Sequence, residues 1–219
     1  MRVRPEVETM PKMSALEASF CRSAPWALVA RRMVPWATQG FPVTGDVLEI
    51  GGGSAAMAEA IARAHPRVRL TTTDADPVMV EAAQDRLAGF PLAQACQADA
   101  TRLPFQDESF DTVVSFLMLH HVIEWERAVT EAARVLRPGG AFVGYDLLAS
   151  RMASLVHRAD QSPHRLIEPE AFGPVLDQAG LDPPALRLSF GGRVLRFIAH
   201  KPGNAQDALG NDITSRSSR

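Results

Sequence analysis

A short apolar run, Val47-Leu48-Glu49-Ile50, leads into Gly51-Gly52-Gly53 and then Ser54-Ala55-Ala56-Met57. An acid near the end of a strand, a glycine turn and an alanine-rich helix form a ligand-binding corner. The glycines can take positive φ, and a ligand can approach them without meeting a Cβ. The helix that follows turns its unpaired N–H groups toward the same place, which suits an anionic group. Asp74 ends the second predicted strand about 25 residues after Glu49, where a carboxylate can accept from both hydroxyls of a ribose. The alternative for Asp74 is a helix N-cap, but Asp76 fills that role better because Pro77 then takes the first helical position. Met79 offers a thioether to a flat aromatic ring, or simply fills a helix core. His120 and His121 are a candidate pair for general-base work, since a histidine side chain can take a proton from a phenol or a carbon acid.

The elements that must carry these residues alternate. Strands are predicted at 46–50, 68–73, 92–97, 111–117 and 140–146, separated by helical patterns at 54–64, 77–88 and 125–136. That alternation implies a parallel sheet with helices on both faces, and such sheets bind ligands at the carboxyl ends of their strands. A helix is predicted at 169–180, stopped by Gly180, followed by strands at 184–190 and 193–200 joined at Gly191-Gly192, a hairpin signal. Upstream, Leu16, Phe20, Trp26, Leu28, Val29, Met33 and Trp36 recur at helical spacing, predicting one or two helices before the sheet. The expected organisation is an N-terminal helical lid segment over 1–45, a single domain over 46–202 and a polar, disordered tail over 203–219.

Composition narrows the class. The 219 residues are 46% hydrophobic and 22% charged, ordinary for one globular domain, and the net charge of −2 supplies no overall basic footprint for nucleic acid. Cys21 and Cys96 are far apart and outside any metal spacing, so neither a disulfide framework nor a zinc site is expected. No apolar stretch is long enough to span a membrane, and Arg2 and Arg4 precede no apolar core of a signal peptide, so a cytoplasmic location is expected.

The ordered series of motifs resembles the class I S-adenosylmethionine-dependent methyltransferases, in particular the menaquinone/ubiquinone-type small-molecule group. Val47 to Ser54 is similar to the family's first motif and Thr72-Thr73-Asp74-Ala75-Asp76-Pro77 to its second. Asp99-Ala100 with Leu103-Pro104-Phe105, and Ser109 to Ser115, are similar to its third and fourth. Leu119-His120-His121-Val122 and Ala133-Arg134-Val135-Leu136-Arg137-Pro138-Gly139-Gly140 complete the set. The resemblance implies a doubly wound, Rossmann-like α/β fold: a seven-stranded sheet, mostly parallel with a C-terminal antiparallel hairpin, plus N-terminal helices. It departs at Ala55, where the family usually has a third glycine, and at Gly52, which replaces a commoner small residue. The added methyl of Ala55 is expected to affect cofactor affinity modestly.

The family's cofactor is S-adenosylmethionine, its product S-adenosylhomocysteine, and no metal is required. The resemblance then implies roles. Gly51, Gly52 and Gly53 with the helix N-terminus would meet the methionyl carboxylate. Glu49 would act at the amine, directly or through water, or hold the glycine loop. Asp74 and the adjoining Ala75 would meet the ribose and Met79 the adenine. Asp99 would accept from the adenine amino group while the Ala100 N–H meets a ring nitrogen. The backbone at Ser115 and Phe116 would contact the methionyl part, with Phe116 either walling the methyl or sitting in the core. His121 is the candidate general base, with packing as the alternative for at least one of the two histidines. Tyr145 and Asp146 would line the acceptor pocket or lead into the next loop. His157 and His164 lie in the 147–168 insertion and are expected to be surface residues. Trp26 and Trp36 would form an apolar lid, a core contact or a homodimer contact.

The expected reaction is in-line methyl transfer to an O, C or N atom of a small-molecule or lipid-like acceptor. A nicotinamide dehydrogenase also fits Gly51-x-Gly53-x-x-Ala56, but Tyr145 is the only tyrosine and Ala149 stands where the short-chain type needs its lysine. A non-catalytic cofactor-binding subunit is a second alternative. An RNA methyltransferase is a third, with Arg31-Arg32 or Arg63, Arg67 and Arg69 as local basic patches.

Overall fold

The computed structural model describes residues 24–150 and 164–203. Leu16, Phe20, Cys21, His157, most of the 147–168 insertion and the tail beyond 203 lie outside the described residues. The elements run α1 (Ala24–Ala37), β1 (Asp46–Ile50), α2 (Ala56–Ala64), β2 (Arg69–Asp74), α3 (Pro77–Leu87), β3 (Ala93–Gln97), β4 (Phe110–Phe116), a 3₁₀ turn (Leu119–His121), α4 (Trp125–Val135), β5 (Leu136–Leu147), α5 (Pro169–Gln178), β6 (Ala185–Ser189) and β7 (Val194–His200).

The seven strands form one sheet in the order β3-β2-β1-β4-β5-β7-β6. The first five are mutually parallel, and β7 pairs antiparallel with both β5 and β6. This is the doubly wound, Rossmann-like sheet with a C-terminal antiparallel hairpin that the motif series implies. The order reverses between β1 and β4, so a crevice opens at their carboxyl ends, where open α/β sheets bind ligands.

The central strands β1, β2, β4 and β5 are buried on both faces, as parallel strands between helices must be. Leu48, Ile50, Val113, Phe142 and Phe197 face one apolar layer with Trp125 of α4 and Phe172 of α5. Val47, Leu70, Val114, Val143 and Tyr145 face the other, with Ala30 and Val34 of α1, Ile61 of α2 and Leu87 of α3. The alanines of α2 let it lie close to the sheet: Ala56, Ala58, Ala60 and Ala62 are all buried. In α3 the expected start holds, because Asp76 accepts from Val78 N at 2.9 Å and Pro77 begins the helix.

Most boundaries differ from the sequence reading by a residue or two, and one differs by four. The fifth strand starts at Leu136, not 140, because the pairing jumps from Phe110 with Leu136 to Thr112 with Ala141. Arg137-Pro138-Gly139-Gly140 is thus an irregularity within a pairing that begins earlier. The second helix starts at Ala56, since Ser54 and Ala55 belong to the turn.

The amino edge of the sheet is held by charge. Asp46 meets Arg69 at 2.5 Å and Arg137 at 3.0 Å, and Arg137 also meets Asp111 at 2.9 Å. The Arg69 and Arg137 guanidiniums hold the Asp46 carboxyl below its usual range, against the opposing pull of partial burial. At the other end of the strands, in the first turn of α2, Glu59 gathers Arg63 at 2.7 Å and Arg86 at 3.2 Å.

Candidate active site

The site residues converge on the carboxyl edge of the sheet. Gly51 and Gly53 take φ of 64° and 55°, and Gly52 N donates to Thr73 O at 2.8 Å. A Cβ at Gly51 would stand 1.9 Å from Met118 Cγ, and one at Gly52 would stand 2.1 Å from Thr72 Oγ1 and 2.3 Å from Glu49 Oε2. The loop is therefore glycine partly because neighbouring side chains from β1, β2 and the end of β4 press against it.

Glu49 is buried beneath this loop, where Thr72 Oγ1 donates to its Oε2 at 2.6 Å. Burial pushes its carboxyl up to about 7, with Thr72 pulling the other way. Asp74 accepts from Gly53 N at 2.8 Å through Oδ2 and from Asp76 N at 2.9 Å through Oδ1. Its carboxyl is also raised by burial, opposed by those backbone donors. Glu49 and Asp74 are thus met by neutral donors among the described residues, unlike Asp46 at the other edge.

Ala55 takes φ 62° and ψ 30° at the head of α2 and caps it with no side-chain hydrogen bond. A left-handed alanine explains why a third glycine is usual here, since the conformation crowds its Cβ. The first N–H groups of α2 are therefore left without a side-chain cap beside the glycine turn.

Met79 is buried yet belongs to neither apolar layer. The carbonyl of Ala75 accepts from Gln97 Nε2 at 2.9 Å. Asp99 is half-buried and turns the chain after β3, accepting from Thr101 N and Oγ1 at 2.8 Å each. Ala100 packs at the border of the α4 layer. Ser115 is fully buried, and its Oγ has no hydrogen-bond partner among the described residues. Phe116 is buried, its ring 5.9 Å from that of Tyr145.

At the ends of β4 and β5 the placement departs from the sequence reading. Asp146, expected at the acceptor pocket or leading into the next loop, is 0% exposed. Its Oδ2 accepts from Met118 N at 3.1 Å and Leu119 N at 2.7 Å, and its Oδ1 takes Leu147 N at 2.7 Å and His120 Nδ1 at 2.5 Å. Tyr145 is buried too, edge-on to Trp36 at 5.2 Å. Trp36 in turn lies under the Arg196 guanidinium at 4.7 Å and beside Phe190 at 5.6 Å, so it packs α1 onto the sheet. The two histidines separate by burial: His120 is 1% exposed, while His121 is half-buried with its ring 4.1 Å from that of His120. His164 is half-buried at the start of the second described segment.

The sequence reading missed the Asp146–His120 pair, the Met118–Gly51 contact and the Thr72 partner of Glu49. No local pattern signals them, because each joins different strands or the loops that follow them.

The chemistry of the donor set fits S-adenosylmethionine. Uncapped helix N–H groups suit a carboxylate, acids paired with neutral groups suit an amine and a ribose, and the orphaned Ser115 hydroxyl supplies an unused polar group at the β4 end. Among the described residues no three His, Cys, Asp or Glu side chains are grouped to hold a metal, and no helix is long and apolar enough to cross a membrane.

Comparison with known proteins agrees. A family model described as a methyltransferase domain matches residues 48–144. The ubiquinone/menaquinone biosynthesis C-methyltransferase UbiE of Desulfotalea psychrophila is 36% identical over 111 residues, covering 50% of this chain and 44% of that protein. A demethylmenaquinone methyltransferase of Clavibacter sepedonicus is 37% identical over 103 residues, 47% of this chain and 41% of that one. The matches thus span less than half the length of these relatives. Among solved structures, the [4+2]-cyclase SpnF shares the fold with a TM-score of 0.67 at 18% identity, over 81% of each chain. The switch-point crevice, the glycine loop with its two acids and the matched domain model agree on one point: over residues 48–144 the chain is similar to a methyltransferase domain.

Proposed function

We propose that this protein transfers a methyl group from S-adenosylmethionine to an O, C or N atom of a small-molecule or lipid-like acceptor. The observation that carries the reading is the pair Glu49 and Asp74: a buried acid and a half-buried one at adjacent strand ends, held by neutral donors beside a helix N-terminus with no side-chain cap. Bound there, S-adenosylmethionine supplies an electrophilic methyl on a sulfonium sulfur. Gly51 to Gly53 and the α2 N-terminus bind the methionyl carboxylate. Glu49 acts on the amine through the loop it supports, Asp74 and Ala75 hold the ribose, and Met79, Asp99 and Ala100 hold the adenine. Ser115 and Phe116 face the methionyl part. The protein's contribution is alignment and exclusion of water. His121, the more exposed histidine, takes the proton that the acceptor releases when its bond to the methyl forms.

The RNA reading loses support because Arg63 and Arg69 of the sequence-level basic patch are paired with Glu59 and Asp46. The cyclase named above has this fold, so the fold alone does not fix the reaction. Calorimetric titration with S-adenosylmethionine, S-adenosylhomocysteine and NAD tests the cofactor: micromolar binding of the first two and none of the third is expected. NAD binding alone would overturn the reading. Once an acceptor is found, His121→Ala should cut turnover by about 10²-fold or more while leaving S-adenosylmethionine affinity intact. If turnover holds as well, His121 is a packing residue.

A further inference from the structure

We propose that Asp146 and His120 are positioning residues for methyl transfer: the buried pair locks the segment Leu117–His121 so that Met118 braces the cofactor loop at Gly51. The inference rests on the cofactor reading above.

The segment needs a lock. Leu117 leaves β4 with φ 57°, a left-handed conformation that a branched side chain adopts at a cost. Its N–H makes a final bond to Tyr145 O at 2.8 Å, and the chain then turns away. The next two N–H groups, of Met118 and Leu119, both point at Asp146 Oδ2. Successive backbone N–H groups converging on one anionic oxygen form a nest. The other oxygen takes Leu147 N and His120 Nδ1. Because a carboxylate only accepts, His120 Nδ1 carries the proton in this pair. Asp146 thus has four donors with no exposed surface, and removing one contact orphans a buried polar group.

The lock has two outputs. Met118, 8% exposed, fills the space that a side chain at Gly51 would need, so the glycine loop and the β4 exit fix each other's position. His121 stays against His120, the ring centroids 4.1 Å apart and the planes tilted by 41°, and the His120 carbonyl accepts from Arg165 N at 2.8 Å. One buried pair therefore connects the cofactor side of the crevice to the candidate proton acceptor.

The test uses the full chain, with S-adenosylhomocysteine as probe and ¹³C-methyl methionine labelling to follow Met118. His120→Asn keeps an N–H near the Nδ1 position, whereas His120→Leu removes it. His120→Leu and Asp146→Asn should each weaken S-adenosylhomocysteine binding about tenfold and shift the Met118 methyl resonance in the absence of cofactor. His120→Asn should stay within about threefold of wild type and return the resonance toward its original position. With Met118→Ala already present, Asp146→Asn should cost less than about threefold, because the contact it acts through is gone. A folded His120→Leu protein with wild-type affinity and an unmoved resonance overturns the proposal. So does an undiminished tenfold loss from Asp146→Asn beside Met118→Ala. If Asp146→Asn does not fold, the contrast between His120→Asn and His120→Leu decides alone. Wild type that fails to bind S-adenosylhomocysteine overturns the cofactor reading itself, an outcome separate from bound cofactor without coupling.

Discussion

The two edges of the sheet handle buried and half-buried acids in opposite ways. At the amino edge Asp46 is matched by Arg69 and Arg137, and Arg137 also serves Asp111. At the carboxyl edge Glu49 rests on the Thr72 hydroxyl, Asp74 on the Gly53 and Asp76 amides, and Asp146 on three amides and His120. Both edges belong to the same strands: Asp46 and Glu49 stand three residues apart in β1. An acid beside guanidiniums is neutralised internally and contributes to stability. An acid beside neutral donors keeps an unbalanced tendency to attract a cation or a hydrogen-bond donor, at a cost to the empty protein. Under the proposed function, the amine, the sulfonium and the two ribose hydroxyls of S-adenosylmethionine would meet this carboxyl edge.

The largest test of this contrast is Glu49→Gln. Burial raises the Glu49 carboxyl from 4.5 to about 7. The folded protein therefore holds a proton there that the unfolded chain releases, and stability is fully present below about 4.5 and lost as pH rises through about 7. The cost at higher pH is roughly 3 kcal/mol at most. Glu49→Gln should raise the melting temperature of the cofactor-free protein at pH 8 and leave it nearly unchanged at pH 4.5, read by thermal melts across that range. A gain that is flat with pH would show that Glu49 is not charged by solvent pH in the way its burial requires.

Next in size is Asp74→Ala set against Asp46→Ala. Losing two ribose hydrogen bonds should weaken S-adenosylmethionine binding by roughly 1–3 kcal/mol. Asp46→Ala should leave that affinity alone and lower thermal stability modestly, as partly exposed ion pairs do. If Asp46→Ala weakens the cofactor as much, the two edges are not separate in function.

The smallest effect belongs to Ala55→Gly. Relief of a left-handed alanine is opposed by the loss of a buried methyl and by greater freedom in the unfolded chain, each on the order of 1 kcal/mol. The net change in stability should be within about 0.5 kcal/mol, with cofactor affinity within about threefold of wild type. A large affinity gain in the glycine variant would place the Ala55 methyl in the cofactor's way.

Much of this arrangement is legible along the chain. The glycine turn, Asp76-Pro77 at the head of α3, Gly180 after α5 and the Gly191-Gly192 hairpin are each set by residues within a few positions of one another. Apolar alternation placed the strands, and it missed the start of β5 because the irregularity at Arg137–Gly140 hides an earlier pairing. The acceptor side was less legible. Asp146 ends a strand as a pocket residue would, yet nothing near it in sequence shows that Met118 and Leu119, more than 25 residues earlier, direct their amides at it.

By itself, then, the sequence determined the order of elements, the glycine loop and the acids that end β1, β2 and β3, because turn chemistry, capping and hydrophobic period act over a few residues. Only the tertiary structure decided which acids are paired with cations, which histidine is buried and what presses against Gly51. Arg137 of β5 reaches Asp46 of β1 across 91 positions, past the intervening β4, and His120 of the 3₁₀ turn reaches Asp146 of β5 across 26, contacts that exist only in the folded sheet. Burial, and with it the affinity of a carboxyl for its proton, is a property of the packed surroundings and not of the residue.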